Sequence, residues 1–326
     1  MKKFDVIALG ELLIDFTDNE LSAQGNTLFE ANPGGAPCNV LAMLNKFGRK
    51  TAFIGKVGKD LFGIKLKAAL EEVGINTANL IMDKDVNTTL AFVRTLKNGD
   101  RDFSFYRNPG ADMMLTAKEV QDNLVKEARI FHFGSLSMTH EIVRDATRKA
   151  IRLAKESGAV ISFDPNLREP LWDSLEDAKK QVAYGLSQCD VLKISDNEIR
   201  WFIGENDFDA GIGKLKAEYN IPLILLSMGR DGSRAYYKDK RVEVPSFLQK
   251  NTVETTGAGD TFGGCCLNFI LKYGLNSLNE DRLTEMLTFA NAAASIITTR
   301  RGALRVMPEI DEVKAFIGSY MYMANE

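Results

Sequence analysis

The sequence predicts an α/β fold in which a mostly parallel sheet is covered by helices on both faces. Short apolar runs alternate with amphipathic stretches along most of the chain, and the apolar runs are continuous, which is typical of strands buried on both faces. No repeat or Pro/Gly/Ser-rich linker divides the sequence. With 326 residues, of which 45% are hydrophobic, the chain is long enough for one large core. We therefore expect a single domain over residues 1–326.

The predicted elements follow from periodicity. Apolar runs predict strands at Phe4–Leu9, Ala52–Val57, Ile130–Gly134, Val160–Asp164, Val191–Ile194 and Leu223–Ser227. Apolar residues at helical spacing predict helices near Val40–Phe47, Leu61–Val73, Glu141–Ser157, Leu175–Ser187 and Gly211–Tyr219. From Ala258 onward the pattern is helical, at Thr261–Tyr273, Arg282–Thr298 and Glu309–Met321. In such sheets, ligands bind at the carboxyl ends of the strands.

One region interrupts this alternation and predicts a hairpin. Asn87–Leu96 and Arg101–Tyr106 alternate apolar and polar residues around Lys97-Asn98-Gly99-Asp100, and Asn-Gly between alternating runs is a strong hairpin signal. We expect the hairpin to project from the main sheet. Together with the segment near Leu12–Phe29 it would form a small β lid from about residues 12–31 and 86–110. The alternative is a surface hairpin with no role in binding.

Composition narrows the classes of partner. A net charge of −3 and a pI near 5.7 give no broad basic field for nucleic acid or anionic lipid, so we expect neither as a partner. An anionic ligand must then be held by a local device. The four cysteines lack C-x-x-C spacing, the first residues lead directly into a strand-like run, and no apolar run approaches the roughly 18 residues of a membrane span. We expect a cytoplasmic protein with no membrane partner.

A glycine-rich turn before an apolar helix carries the chemistry. In Glu254-Thr255-Thr256-Gly257-Ala258-Gly259-Asp260-Thr261, the small residues let the backbone turn tightly. The amides of Ala258, Gly259 and Asp260 would then converge on one point, reinforced by the helix dipole, as an anion hole. The Asp260 carboxylate in the same turn can accept a proton from a hydroxyl, so the turn offers both functions that phosphoryl transfer requires. The alternative is an ordinary helix-capping turn.

Other nucleotide motifs are absent from the sequence. The Gly257–Gly263 spacing differs from the G-x-G-x-x-G dinucleotide fingerprint, and each Gly-Lys pair is followed by Val, Asp or Leu rather than the Ser or Thr of a Walker A loop. His132 and His140 form no metal or triad pattern, so we expect the catalytic base to be a carboxylate.

Two stretches of the sequence, the glycine-rich turn and an earlier glycine motif, resemble the signatures of a known family. Thr255 to Phe262 is similar to the C-terminal signature of the ribokinase-like sugar kinases, the PfkB family. Asn32-Pro33-Gly34-Gly35-Ala36-Pro37-Cys38-Asn39-Val40 resembles that family's N-terminal glycine motif, in the form typical of bacterial fructokinases. The resemblance runs from Ala8 to about Gly302. It implies a ribokinase-like fold with a β lid and transfer of the γ-phosphoryl group of ATP to a sugar hydroxyl, with fructose as the expected sugar.

Other functions stay open. Ribose, 2-keto-3-deoxygluconate or a riboside could replace fructose as the acceptor. From other classes, the chain could be a non-catalytic sugar-kinase-like binding protein or a nucleotide-binding dehydrogenase. The intact Gly257-Ala258-Gly259-Asp260 argues against a non-catalytic protein, because a retired site has no need of a base.

The resemblance assigns roles on the sugar side to Asp15, Gly34, Gly35, Asn39, Arg107, Arg168 and the base Asp260. Asp15 would bind sugar hydroxyls, the two glycines would let the backbone approach the sugar, and Arg168 would steady phosphate charge. Three purely structural roles remain as alternatives. Asp15 could merely end a strand, Asn39 could be an N-cap, and either arginine could form a structural ion pair.

The nucleotide side maps by the same resemblance onto Lys193, Ser195, Ser227, Gly229, Gly232, Gly257, Gly259 and Asn291. Glu198 would hold Mg²⁺ through water, although Ser195 stands where the family usually has Asn. Glu254 and Thr256 map to a monovalent-cation site, but the family usually has Asp at position 254, which leaves a K⁺ requirement open. The exposed strand edges of a lid could also pair two copies into a homodimer.

Overall fold

The computed structural model describes residues 2–95 and 101–323, and its main sheet has nine strands in the order β13-β12-β11-β10-β9-β8-β1-β4-β5. Neighbouring strands run parallel from β5 across to β11, while β12 and β13 add an antiparallel edge. These strands are β1 (Phe4–Leu9), β4 (Thr51–Gly58), β5 (Asn76–Asp83), β8 (Ala128–Gly134), β9 (Val160–Asp164), β10 (Val191–Ser195), β11 (Leu223–Ser227), β12 (Ser233–Tyr237) and β13 (Lys240–Val244).

Helices cover both faces of this sheet. They are α1 (Ala36–Lys46), α2 (Leu61–Glu72), α3 (Asp122–Val125), α4 (Glu141–Glu156), α5 (Leu175–Gln188), α6 (Asp196–Ile203), α7 (Phe208–Tyr219), α8 (Ala258–Tyr273), α9 (Glu280–Ile297) and α10 (Ile310–Met323). Successive residues of β1 show why two cores form, since Val6 and Ala8 pack on the side of α1, α2 and α8–α10. Ile7 and Leu9 pack on the side of α3–α7. Strand residues point alternately to opposite faces, so both faces of the strand must be apolar.

The prediction of an α/β fold with a mostly parallel sheet is confirmed, and all six predicted strands of the main sheet form. Two helices begin earlier than predicted. The helix α1 begins at Ala36 because Pro37 fits the first helical turn, and α7 begins at Phe208 because Asp207 caps it. The sequence reasoning missed β5, β12, β13 and the short helices α3 and α6. The strands β5 and β13 are edge strands with polar positions, β12 is a short strand next to β13, and the two helices are too short for a clear period.

A second sheet has four strands in the order β3-β2-β6-β7. They are β2 (Leu13–Leu21), β3 (Thr27–Gly34), β6 (Leu90–Thr95) and β7 (Arg101–Tyr106). The strands β6 and β7 pair antiparallel as the hairpin prediction required, and β2 joins them by pairing parallel with β6. The predicted turn, at residues 96–100, lies outside the described residues. The chain therefore places two separated segments in one small sheet.

The fold brings the candidate residues to one edge. The carboxyl ends of neighbouring strands in the main sheet lie at Leu9, Gly134, Asp164, Ser195 and Ser227. Between β1 and β8 the strand order reverses direction, since β4 and β5 lie on one side of β1 and all later strands on the other. Such a switch point opens a crevice for ligands. Across residues 2–95 and 101–323, no helix is both long and apolar enough to cross a membrane.

Candidate active site

A cavity of about 240 Å³ lies between the second sheet and the carboxyl edge of the main sheet. Its lining from the second sheet and the adjoining strand end is Leu13, Asp15, Thr17, Asn32, Pro33, Val93 and Phe105. Its lining from the main body includes Glu11, Asn39, Arg168, Lys193, Glu254, Thr256, Gly257, Gly259 and Asp260. Both carboxylates and apolar side chains therefore face one small space, which we name the first cavity.

Two glycines let the chain wrap tightly around this cavity. Asp15 pairs in register with Asn32 in the next strand, and a Cβ atom at Gly34 would overlap Oδ2 of Asp15. Gly35 has φ 129°, a conformation that favours glycine, and a Cβ atom there would overlap the carbonyl oxygen of Glu11. The structure thus brings Asp15, Gly34 and Gly35 together at the cavity wall. Any larger residue would displace the carboxylate or the backbone.

Asp260 lies in the first turn of α8, after Gly257 in the left-handed conformation with φ 74°. The first bond within the helix runs from the amide of Thr261 to the carbonyl of Gly257, at 2.8 Å. The amides of Gly259 and Asp260 precede it, and the first amides of a helix have no carbonyl within the helix to bind, which is the usual basis of an anion site. The amide of Ala258 donates to the carbonyl of Thr255 at 3.3 Å, and the convergence of the three donors on an anion stays a prediction.

The environment of Asp260 suits a proton acceptor. Its side chain is 9% exposed, and burial raises its pKa, while the hydrogen bond from Asn39 and the charges of Lys193 and Arg168 act in the opposite direction. Nδ2 of Asn39 donates to Oδ2 of Asp260 at 2.8 Å. Oδ1 of Asn39 is buried and has no hydrogen-bond partner in the described part of the chain. A carboxylate made more basic by burial and oriented by an amide can act as a general base.

Lys193 is a cation beside this turn. Its Nζ forms an ion pair with Oδ2 of Asp164 at 3.0 Å, and it would lie 3.1 Å from a Cβ atom at Gly259. Burial acts to lower the pKa of Lys193, but Asp164, Glu198 and Asp260 outweigh it, so the pKa is raised and the side chain stays charged. Burial also raises the pKa of Asp164, to about 6.

Three cavities meet at Gly259. A second cavity of about 350 Å³ is lined by Ser227, Gly229, Gly232, Ala258, Gly259 and Asn291 together with the apolar side chains of Phe247, Leu248, Phe262 and Ala294. A third cavity of about 410 Å³ is lined by Arg168, Lys193, Ser195, Glu198, Ser227, Gly229 and Gly259. Gly259 lines all three, and Lys193 lines the first and the third. A ligand in the second cavity can therefore meet a ligand in the first at this turn.

Asn291 stands on the wall of the second cavity, but its amide is engaged. Nδ2 donates to the carbonyls of Val244 and Pro245 at 3.0 and 3.1 Å, and Oδ1 accepts from Ser233 Oγ at 2.9 Å. Asn291 therefore holds the segment after β13 against α9. Gly232, with φ 96°, lets the same segment cross close to the turn after β11.

Ser195 and Glu198 form a capping box at the start of α6. Oε2 of Glu198 accepts from the amide and the hydroxyl of Ser195, each at 2.8 Å, and Oε1 accepts from the amide of Leu167 at 2.8 Å. A carboxylate has about four acceptor positions, so one or more stay available to a water molecule. Glu198 thus ties the loop after β9 to α6 at the floor of the third cavity.

The two arginines have different places. The structure does not bring Arg107 into the first cavity: its side chain is 2% exposed and pairs with Asp112 at 2.6 Å, with further bonds to Thr139 and the carbonyl of Leu136. The structural ion pair, left open by the sequence, is the arrangement observed, because a buried guanidinium requires a carboxylate partner. Arg168 is exposed and lines the first and third cavities.

Glu254 and Thr256 both line the first cavity. Oε1 of Glu254 accepts from the amide of Gly302 at 2.7 Å, which closes the loop after α9 onto the glycine turn. A Cβ atom at Gly302 would lie 3.0 Å from Oδ1 of Asn32, so the same loop also abuts the second sheet. The longer side chain of Glu254 therefore reaches the backbone of this loop directly.

Sequence reasoning gave no role to two buried acids at this edge. Glu11 is 4% exposed and lines the first cavity, Oε1 accepts from the amide of Ala36 at 2.9 Å, and burial raises its pKa to about 7. Asp164 holds Lys193. Both could have been noticed in the sequence, since Asp164 ends the apolar strand β9 and Glu11 lies two residues after the apolar strand β1, where parallel sheets place their sites.

Residues 3–310 match the family described as pfkB family carbohydrate kinase, and the chain belongs to this family. The chain is 41% identical to fructokinase-2 of Solanum lycopersicum over 312 residues, which is 94% of each protein. The prediction of a ribokinase-like sugar kinase of the PfkB family is confirmed.

Solved structures of relatives have the same fold. A fructokinase from Xylella fastidiosa with bound ATP superposes with a TM-score of 0.87 at 31% identity, covering 97% of this chain and 99% of that one. A fructokinase from Vibrio cholerae O395 with bound fructose, ADP and calcium ion superposes with a TM-score of 0.86 at 27% identity, covering 96% and 99%.

Proposed function

We propose that this protein is a fructokinase that transfers the γ-phosphoryl group of ATP to a hydroxyl of fructose. One observation carries the proposal: Asp260 faces the first cavity at the turn where that cavity meets the other two. A sugar in the first cavity and a nucleotide in the second would then meet beside a buried carboxylate and a buried cation. The fructokinase relatives, one with bound ATP and one with bound fructose and ADP, support the choice of both substrates.

The reaction follows from these positions. Asp260 accepts the proton of the sugar hydroxyl as the hydroxyl oxygen attacks the γ-phosphorus of ATP. The bond between that phosphorus and its bridging oxygen breaks, and ADP leaves with the electron pair. The helix-start amides of Gly259 and Asp260 and the ammonium of Lys193 face the negative charge that develops on the phosphoryl oxygens. The hydrogen bond from Asn39 fixes which oxygen of Asp260 receives the proton.

The sugar would be held by groups with complementary hydrogen-bonding roles. Asp15 offers carboxylate acceptors, and the unpartnered Oδ1 of Asn39 offers one more to a hydroxyl donor. Gly34 and Gly35 let the backbone approach the ligand. Ribose, 2-keto-3-deoxygluconate and a riboside stay as alternatives to fructose because carboxylates bind any hydroxyl. A non-catalytic binding protein is disfavoured by the paired Asn39 and Asp260.

ATP would lie in the second cavity, with its base between the apolar walls and its phosphates toward Gly259. We propose that Mg²⁺ is held beside the third cavity through water by Glu198, whose oxygens are partly engaged by the protein. That ion would neutralise phosphate charge. K⁺ at Glu254 and Thr256 stays a prediction, since one oxygen of Glu254 already accepts from Gly302. The four cysteines are buried free thiols, in keeping with a reducing cytoplasm as the proposed compartment.

The second sheet is proposed to be a lid within a single domain. One face of it lines the first cavity, through Asp15, Val93 and Phe105, so movement of this sheet would open or close the site. Closure would exclude water and limit hydrolysis of ATP.

The outer face of the second sheet is apolar. The rings of Phe16 and Phe92 stack with their centroids 4.8 Å apart. The rings of Phe29 and Tyr106 each form an edge-to-face contact with Phe92, with centroids 5.4 Å apart. Phe29 is 46% exposed and Tyr106 is 67% exposed. The solvent face of a sheet with one face on the protein body is normally polar, and an exposed apolar patch marks an interaction site. We propose that a second copy of this chain covers it, as a homodimer.

The function is tested by coupled ADP release with purified protein, ATP and Mg²⁺ across fructose, ribose, 2-keto-3-deoxygluconate and a riboside, with and without K⁺. The highest kcat/KM is expected with fructose. A higher value with another sugar would transfer the assignment to that sugar, and no release with any of them would refute the kinase.

The homodimer is tested by light scattering on the double variant Phe29→Ser, Tyr106→Ser. We expect a dimeric wild type, a monomeric double variant, and a dimeric control variant Leu175→Ser, which changes an exposed apolar residue on α5. A monomeric wild type would contradict the proposed pairing.

A further inference from the structure

Glu11 is a buried carboxylate that the reaction above does not use. It lies in the short connection between β1 and β2, residues 10–12, where the chain passes from the main sheet to the second sheet. Its side chain is 4% exposed, and it lines the first cavity together with Asp15 and Asn39. An ionisable group in such a place is costly to bury, so a function is expected to retain it.

The start of α1 depends on this carboxylate. Its N-cap, Gly35, offers no side-chain hydrogen bond, and its first turn contains no acidic residue. The first amides of a helix need acceptors and favour negative charge. Oε1 of Glu11 accepts from the amide of Ala36 at 2.9 Å, and a Cβ atom at Gly35 would overlap the Glu11 carbonyl oxygen. Glu11 thus caps α1 from a distant part of the chain and fixes where this helix begins.

The helix carries that constraint to Asp260. The amide of Asn39 donates to the carbonyl of Gly35 at 3.0 Å, which is the first bond of α1. One turn from the cap, Nδ2 of Asn39 donates to Oδ2 of Asp260 at 2.8 Å. A shift at the start of α1 would therefore move the amide that orients the catalytic carboxylate.

The charged and titratable groups that face Glu11 lie in two parts of the chain, the segment after β7 and the helix α1. Arg107 and Asp112 form a buried ion pair just after β7, where the second sheet returns to the main body. Burial raises the pKa of Glu11 to about 7 against the backbone hydrogen bonds from its own amide and from Ala36, which lower it; Asp112 adds a smaller rise and Arg107 a smaller decrease. On α1, the Cys38 thiol faces Glu11 and Asp260, and its pKa lies well above the ordinary value, mainly because of burial. Glu11 thus lies between the root of the second sheet and α1.

We propose that Glu11 is a positioning residue for sugar phosphorylation, holding the start of α1 where Asn39 orients Asp260. The inference rests on the proposed function and adds a residue to it. An ionised acceptor makes a stronger hydrogen bond than a neutral one. Protonation of Glu11 as pH falls through about 7 therefore weakens the cap and lets α1 shift Asn39, whose Oδ1 is proposed above to bind a sugar hydroxyl, so the KM for fructose rises.

The test compares wild type, Glu11→Gln and Glu11→Ala between pH 6 and pH 9, by KM, by kcat and by calorimetric binding of fructose. Glutamine keeps an acceptor but cannot ionise, so its KM and fructose Kd are expected to stay flat over this range, while both rise several-fold for wild type at the acid end. Alanine leaves the Ala36 amide without its acceptor and is expected to lower kcat/KM about 10- to 100-fold. Asp207→Asn, at the cap of α7, is the control and should follow wild type.

Two results would overturn the inference while leaving the kinase intact: a Glu11→Gln variant whose KM varies with pH as wild type does, or a folded Glu11→Ala variant with wild-type kcat/KM. If alanine prevents folding, the glutamine variant alone decides. Failure of the proposed function is a separate observation, because wild type itself would then release no ADP with fructose.

Discussion

The substitution Gly34→Ala isolates the role of Asp15 in holding the sugar. The added Cβ atom would lie 3.1 Å from Cγ of Asp15 and closer still to Oδ2, whereas relaxed contacts between carbon atoms take about 3.5–4.0 Å. The carboxylate must therefore move by about 1 Å. A misplacement of about 1 Å in a binding group can cost about 100-fold in rate, so kcat/KM for fructose is expected to fall by about that factor.

The folded state should tolerate this change, since the atom that must yield is the end of a side chain and Gly34 does not have the left-handed conformation. The assay is coupled ADP release at varied fructose and saturating ATP, with ATP binding measured separately because the second cavity is untouched. The matched control is Gly213→Ala on α7, where a Cβ atom would meet nothing within 4 Å. A folded Gly34→Ala variant with unchanged kcat/KM would show that Asp15 does not contact the sugar.

Two further changes test the electrostatics. Lys193→Met removes a charge that lowers the pKa of Asp260, so the acid side of the pH profile of kcat should shift to higher pH. The value of kcat should also fall about 100-fold or more. An unchanged pH profile would show that the charge of Lys193 does not influence the pKa of Asp260. The second change concerns stability. The pKa of Glu11 is about 7 in the folded protein and 4.5 in the unfolded chain, so the folded state binds the proton more tightly. The free energy of unfolding of wild type therefore falls as pH rises between these two values. Glu11→Gln should lack this loss of about 3 kcal/mol in urea titrations at pH 5 and pH 8, and parallel curves for the two proteins would contradict it.

Periodicity was sufficient for the fold. β1, β9 and β11 have the predicted bounds because a strand buried on both faces is apolar throughout and stands out from its flanks. The strands β12 and β13, at the antiparallel end of the sheet, include charged residues, so no apolar run marked them. Alternation predicted the hairpin strands β6 and β7, but not that β2 would pair parallel with β6, because that pairing joins distant segments.

The candidate site was predicted where local sequence decides local structure. The glycine turn before α8 is such a case, and Gly257 has the positive φ that the turn requires. Side-chain partnerships between distant segments could not be read from the sequence. Asn291 is engaged by the segment after β13, and Glu11 reaches the start of α1. Each depends on packing that brings remote residues into contact.

The central claim is that Asp260 removes the proton from the sugar hydroxyl, and Asp260→Asn tests it most directly. The amide keeps the size of the carboxylate but is a far weaker base, so kcat should fall about 10²- to 10⁴-fold. Fructose binding, measured by calorimetry, should persist because the rest of the cavity is unchanged. Turnover near the wild-type rate in a folded Asp260→Asn protein would contradict the assignment of the base.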